Sequence, residues 1–238
     1  MISHRLRLLL PFFLSVCIFA EPPDSLSGKI TENLELGPEN GPIMITDNVT
    51  LLENCTLSVK PGTRFEFDGY FQLIIRGFLI AEGDQQKKIV FTSSMKKPAR
   101  SDWYGVAFRG EKSGGRLAGC TIEYAYKNIC FKSSPVVKEC IFRENTYGLY
   151  MSYATRPEVV SCVFENNIYG LYCDFSGPYI ADNLLTGNEF GIYMIFSAAP
   201  QLENNVFKDN REKNIFRDQS MEKKEEDDKA MDLIKGLF

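Results

Sequence analysis

Four prolines, Pro135, Pro157, Pro178 and Pro200, open four segments that align almost without gaps: PVVKECIFRENTYGLYMSYATR, PEVVSCVFENNIYGLYCDFSG, PYIADNLLTGNEFGIYMIFSAA and PQLENNVFKDNREKNIF. Their spacings are 22, 21 and 22 residues. A unit of that length cannot bury an apolar face by itself, so self-similarity at this period requires stacked coils that share one core. A leucine-rich repeat has a similar length, but its Leu and Asn spacing is missing here.

Within the units, each column carries one kind of chemistry. Phe142, Phe164, Leu185 and Phe207 form one apolar column, and Leu149, Leu171, Ile192 and Ile215 form another; both are expected to point inward. Asn145, Asn167, Asn188 and Asn210 fall three residues after the first column, at an expected turn. Asparagine tolerates left-handed backbone there, and stacked amides can bond from coil to coil. Gly148, Gly170 and Gly191 are read as a second bend. The pattern continues upstream with a looser period. CTLSVKPGTRFEF, YFQLIIRGFLIAEG and KKIVFTSS are short β-rich runs closed by Gly, Asp or Ser, and LAGCTIEYAYKNICFKSS from Leu117 sets Cys120 over Cys140 and Ile129 over Leu149. An irregular Lys/Pro/Arg loop at 95–102 precedes Trp103. The predicted fold is all-β, a single right-handed parallel β-helix of seven or eight coils over residues 41–216. Residues 21–40 are expected to act as a cap and 217–238 as a charged helical tail with Ala230, Ile234 and Leu237 on one face.

The runs TLSVKPGTRFEF, GFLIAEG, KIVFTSS and WYGVAF, followed by CTIEYA and the N-x-x-G-[LI]-Y coils, resemble the bacterial right-handed β-helix repeat family with pectate-lyase-like coils. That family includes secreted carbohydrate-acting proteins and NosD-like periplasmic proteins. The resemblance implies the fold; the matching residues are coil builders, so it implies no particular activity.

Residues 1–20, MISHRLRLLLPFFLSVCIFA, read as a secretory signal peptide: Arg5 and Arg7, an apolar run from Leu8 to Phe19, and Ala20 before the polar EPPDS. Export to the periplasm or the medium is expected. Lipid attachment at Cys17 is a second reading, disfavoured by the bulky Val16 before it. The apolar run is short for a membrane span, so an integral membrane protein is not expected. Processing would remove two of the 27 basic residues and none of the 31 acids, moving the formal net charge from −4 to −6. That balance does not suit nucleic acid. The single histidine, His4, lies inside the leader, so a mature chain has no imidazole for triad catalysis or a histidine metal site.

Among residues that could carry chemistry, Cys120, Cys140 and Cys162 share a column and read as buried thiols, since in-register Cβ atoms suit disulfide geometry poorly. Met151, Cys173 and Met194 form a soft-atom column of the kind Cu(I) favours, but alternation with Leu149 turns it inward, so no metal or cofactor is assigned. Glu139 stacks on Ser161, Asp182 and Asn204, and Arg143 on Glu165, Thr186 and Lys208. These acids lie beside turns and form no cleft, so no catalytic residue is assigned and an enzyme is not expected. Tyr150, Tyr172 and Tyr193, set between inward columns, should face outward as a ladder of phenols, with Tyr153, Phe175 and Phe196 beyond them. Sugar rings stack on exposed aromatics, so the ladder is the candidate ligand surface, and a polysaccharide or a cell-envelope protein is the expected partner. A polysaccharide lyase or hydrolase and an envelope scaffold subunit are the alternatives.

Overall fold

The structure is a computed structural model that describes residues 25–220. The leader with Cys17 and the tail from residue 221 lie outside the described residues. Every strand pairs in parallel with the equivalent strand one coil away. The coils have three faces. A phenylalanine face includes Arg64–Phe67, Ile89–Ser93, Cys120–Glu123, Ile141–Arg143, Val163–Glu165, Leu184–Thr186 and Val206–Lys208. A tyrosine face includes Gln72–Ile75, Gly105–Arg109, Lys127–Phe131, Tyr147–Ser152, Tyr169–Asp174, Phe190–Ile195 and Lys213–Asp218. The third, a valine face, runs from Leu34–Leu36 to Gln201–Glu203 as a separate eight-stranded sheet. The first two faces join into one 16-stranded sheet because strand Ile43–Leu51 turns the corner: Ile43–Ile45 pair with Phe65–Phe67, and Val49–Leu51 with Leu73–Ile75.

There are about nine coils, more than the seven or eight expected. The solenoid starts earlier than residue 41: strand Ser25–Ile30 pairs with Ile43–Leu51 and Leu34–Leu36 with Thr56–Val59, so much of the expected cap is itself the first coil. At a strand spacing of about 4.8 Å this makes a rod of roughly 40 Å.

Side chains predicted to point inward do so through the body of the rod, while the last members of the two columns, Phe207 and Ile215 on the final coil, are half-buried and exposed. Phe142, Phe164 and Leu185 are paired in register and buried, as are Leu149, Leu171 and Ile192. The aromatic members stack along the axis, with ring centroids 4.8 Å apart for Phe65–Phe91 and 5.0 Å for Phe142–Phe164. Trp103 lies inside on Phe67 at 3.8 Å and satisfies its Nε1–H on the Glu123 carbonyl.

Three local readings change. The left-handed residue at each corner is not the column asparagine. One corner bends at Glu144, Asn166, Gly187 and Asp209, another at Glu139, Ser161, Asp182 and Asn204, and the third at Lys132, Tyr153, Phe175 and Phe196. Asn145, Asn167 and Asn188 follow the first of these bends and point inward. Each donates Nδ2–H to a carbonyl of the preceding coil and accepts that coil's asparagine N–H on Oδ1, or its equivalent at Ala125. The glycine column is not a positive-φ bend either; Gly148, Gly170 and Gly191 sit within strands where a Cβ would meet the next coil's carbonyl oxygen at 2.4, 2.7 and 2.4 Å. Finally, Ile129 pairs with Tyr150, not Leu149, because the strand register slips between Lys127 and Ile129.

The 95–102 loop clips coils together on the phenylalanine face. Arg100 donates to the Asn166 carbonyl at 2.7 Å, and Ser101 shares a hydrogen bond with Thr146. Beside the loop, Glu123 is buried and held by Thr92 and Arg143 at 2.8 and 2.6 Å.

Candidate functional site on the tyrosine face

The predicted ladder of Tyr150, Tyr172 and Tyr193 is in register on the outside of the tyrosine face and ends on Phe216. The three tyrosine rings stack at 5.0 Å centroid spacing with interplanar angles of 18° and 10°. A second column, absent from the sequence reading, runs beside it: Tyr126, Tyr147, Tyr169 and Phe190, approached from earlier coils by Tyr70 and Tyr104. Strict alternation would turn Tyr147 inward with Leu149. Instead Gly148 and Leu149 are both buried in succession, which turns Tyr147 out beside Tyr150.

Rings of the two columns meet edge to face, at angles of 77° to 90°. A 5.0 Å step between parallel rings that touch at about 3.5 Å requires each ring to tilt by roughly 45°. Opposite tilts in the two columns then give the near-perpendicular crossing, a herringbone. Ring faces are therefore spent largely on other rings, and the ladder shows solvent mainly its edges; each of these tyrosines is half-buried.

Polar groups finish the surface. Tyr150 donates its hydroxyl to Asp174 at 2.5 Å and Tyr193 to Asp218 at 2.7 Å. At the start of the ladder the Lys127 ammonium takes the place of a ring, 4.5 Å from the centroids of both Tyr147 and Tyr150. Burial pulls the Lys127 pKa below its usual value, against the opposing pull of Asp174. Burial is also the main cause that holds the phenols of Tyr150, Tyr172 and Tyr193 well above the usual tyrosine value, with Asp174 and Asp218 reinforcing it at Tyr150 and Tyr193.

These shifts predict alkaline lability. The folded chain keeps phenolic protons that an unfolded chain releases near pH 10, so the stability they contribute is full below that pH and is lost as pH rises above it. In a spectrophotometric titration followed in parallel by circular dichroism, phenolate from these rings is expected to appear only together with loss of the β signal. Reversible ionisation of all eleven tyrosines near pH 10 in a folded chain would contradict this.

Open ring surface lies at the edge of the face. Tyr153 and Phe175 occupy consecutive left-handed corner positions (φ 60° and 44°) and are 57% and 54% exposed. A bulky residue is uncommon there and strained, so the fold holds these rings out at a conformational cost. Next to Tyr153 is a cleft of about 770 Å³ whose lining includes Phe78, Glu111, Lys112 and Lys132. Gly114, paired with Phe78, adds no side chain beside that ring. A smaller hollow of about 310 Å³ continues past Phe175 to Arg156 and Gln201.

The other candidate groups lie elsewhere. Met151, Cys173 and Met194 are inside, and burial raises the Cys173 thiol to about 12. All six described cysteines are free and buried. In the column of Cys120, Cys140 and Cys162, each thiol faces carbonyls of its own and the preceding coil; Asn183 and Asn205 continue the same column and donate Nδ2–H to Val159 and Ile180 carbonyls at 2.9 and 2.8 Å. Glu139 and Asp182 are exposed corner residues, and Arg143 bridges Glu123 and Glu165. Among the described residues no three His, Cys, Asp or Glu side chains gather into a metal-holding group, and no helix is long and apolar enough to cross a membrane.

Three parallel faces, inward amide ladders and a ring-covered outer side define a parallel β-solenoid that carries its aromatic chemistry on one surface. The chain matches the family model described as "Right handed beta helix region" over residues 28–185 and 97–222, and it belongs to that family. Comparison with curated proteins and with solved structures gave no significant match.

Proposed function

We propose that this protein is an exported, non-catalytic β-helix that holds a glycan of the cell envelope along its tyrosine face. The reading is carried by the outward, strained placement of Tyr153 and Phe175, one coil apart at the edge of the ring surface. A coil step of about 4.8 Å brings successive rings within the span of one sugar residue, and exposed aromatic planes are what a pyranose ring stacks on. In this proposal the herringbone of Tyr150, Tyr172 and Tyr193 with its neighbours forms the floor. The cleft beside Tyr153 adds Lys112 and Lys132 as donors to hydroxyl or carboxylate groups. The leader at residues 1–20 supports the exported compartment.

Retention on immobilised neutral and uronate polysaccharides tests the proposal. At least one polymer is expected to bind, and the double variant Tyr153→Ser/Phe175→Ser is expected to weaken that binding at least tenfold with little change in melting temperature, both rings being exposed. Tyr172→Ala is a poorer probe, since that ring is stacked on both sides. Absence of retention across the panel, or equal retention of the double variant, sinks the proposal. Release of new reducing ends or unsaturated product would replace it with the lyase or hydrolase reading.

A further inference from the structure

Eight of the eleven tyrosines join in one unbroken set of ring contacts. It starts at Tyr70, which is 55% exposed, and passes to Tyr104, Tyr126 and Tyr147 with centroid spacings of 5.7, 5.7 and 5.8 Å. Tyr147 meets Tyr150 and Tyr169 at 5.6 and 4.9 Å, and the 5.0 Å steps of the ladder carry the set on to Tyr193. From Tyr70 to Tyr193 the path covers five coil steps, roughly 24 Å at about 4.8 Å each. Stacking does not require the hydroxyls, since Phe190 lies on Tyr169 and against Tyr193 in the same herringbone. The hydroxyls matter for another property: a phenol gives up an electron far more readily than a benzene ring. Among the described residues, two phenols of the set donate to a carboxylate, Tyr150 to Asp174 at 2.5 Å and Tyr193 to Asp218 at 2.7 Å.

We propose that this array is a relay for one-electron oxidation, which accepts an oxidising equivalent at the exposed Tyr70 and settles it on Tyr150 and Tyr193, whose protons pass to Asp174 and Asp218. The oxidant is a peroxyl radical of the surrounding medium. It takes a hydrogen atom from the Tyr70 hydroxyl and becomes a hydroperoxide, leaving a phenoxyl radical. An electron from Tyr150 then moves through the intervening rings to Tyr70, which also takes a proton from solvent and is restored. As that electron leaves, the Tyr150 hydroxyl proton crosses its hydrogen bond to Asp174, so a neutral phenoxyl radical and a protonated carboxyl remain. A phenol that loses an electron becomes a strong acid, so the radical is most stable where a bonded carboxylate takes the proton. That selects Tyr150 and Tyr193 over Tyr172. A soluble one-electron reductant returns the electron, and Asp174 returns the proton. The core behind the ladder gains from this. Cys130, Met151, Cys173 and Met194 form the inward column of the same strands, all buried. Oxygen added to those sulfurs would put polar groups in a dry interior.

Exposure of the full-length protein to peroxyl radicals from a water-soluble azo initiator, followed by peptide mass spectrometry, tests the relay. Tyr153 is the internal control: it is 57% exposed, as open as Tyr70, but meets only Phe131 among the aromatic rings. Oxidised product is expected to be at least threefold lower at Tyr70 than at Tyr153, and higher at the half-buried Tyr150 and Tyr193 than at Tyr172. In the variant Tyr150→Phe/Tyr193→Phe, which keeps every ring, product at Tyr70 is expected to rise to the level at Tyr153. Equal product at Tyr70 and Tyr153 in the unaltered protein would overturn the proposal, because yield would then follow exposure alone. An unchanged yield at Tyr70 in the variant would overturn it as well. The unaltered protein decides the first of these results, so a variant that fails to fold does not shelter the proposal.

Discussion

Asn167→Ala is expected to lower the unfolding free energy by about 4 kcal/mol, the sum of two or three buried groups left without partners at about 1–3 kcal/mol each. Asn167 is 1% exposed. Its Oδ1 accepts the Asn145 N–H at 2.9 Å and the Asn145 side-chain amide at 3.1 Å, and its Nδ2 donates to the Phe142 carbonyl at 2.9 Å. Water cannot reach the orphaned Asn145 N–H or Phe142 C=O without opening the corner, so truncation exposes nothing that solvent can repair. Asn167→Leu keeps the branched outline without the amide and is expected to cost at least as much, so filling the space does not replace the lost bonds. Asn210, the half-buried last rung, is expected to lose only about 1–2 kcal/mol on change to Ala. Urea unfolding followed by far-ultraviolet circular dichroism measures all three. A loss below 1 kcal/mol for Asn167→Ala would show that the ladder is not a source of stability.

Gly148→Ala should be nearly as damaging, at about 3 kcal/mol, for the opposite reason: it adds an atom where there is no room. The new Cβ would lie 2.4 Å from the Gly170 carbonyl oxygen and 3.0 Å from the Phe164 ring. The oxygen is backbone of the next coil and cannot rotate aside, so the two coils must part. Parting them loosens the stacks that span this step, Tyr147 on Tyr169 at 4.9 Å and Tyr150 on Tyr172 at 5.0 Å. A fall in the tyrosine near-ultraviolet dichroism is therefore expected alongside the fall in stability. Gly177→Ala is the matched control: its Cβ would meet only the Ala199 carbonyl oxygen at 3.5 Å, an ordinary contact, and a change within about 0.5 kcal/mol is expected. Equal effects at the two positions would refute the crowding argument.

Both residues show how far a column can be read without coordinates. The recurrence of Asn145, Asn167, Asn188 and Asn210 marks a position where only an amide will do, because stacking puts the same environment at the same place in every coil. The expectation that amides bond between coils follows from that; the expectation that asparagine supplies the left-handed bend does not, since a recurring residue and the residue before it share a corner and only φ separates them. The glycines are similar. Their invariance along the column says that a Cβ is excluded, while the carbonyl that excludes it belongs to another coil.

The candidate surface was legible in part for the same reason. Tyr150, Tyr172 and Tyr193 follow from alternation beside Leu149, Leu171 and Ile192. Their partner column did not, because alternation breaks where Gly148 and Leu149 turn inward together. Nor does periodicity tell a ring stacked between two others from one that leans on a single neighbour and keeps most of its surface open, which is the difference between Tyr172 and Tyr153, whose ring meets only Phe131 among the aromatic rings, at 4.6 Å.

The sequence by itself determined the period, the inward columns and hence a parallel coil, since stacked repeats must place like on like. Tertiary structure alone decided where the first coil starts, how the rings tilt, and which aromatic planes stay open. Those depend on corner backbone angles and on the fixed distance between coils, and neither is written in any single repeat.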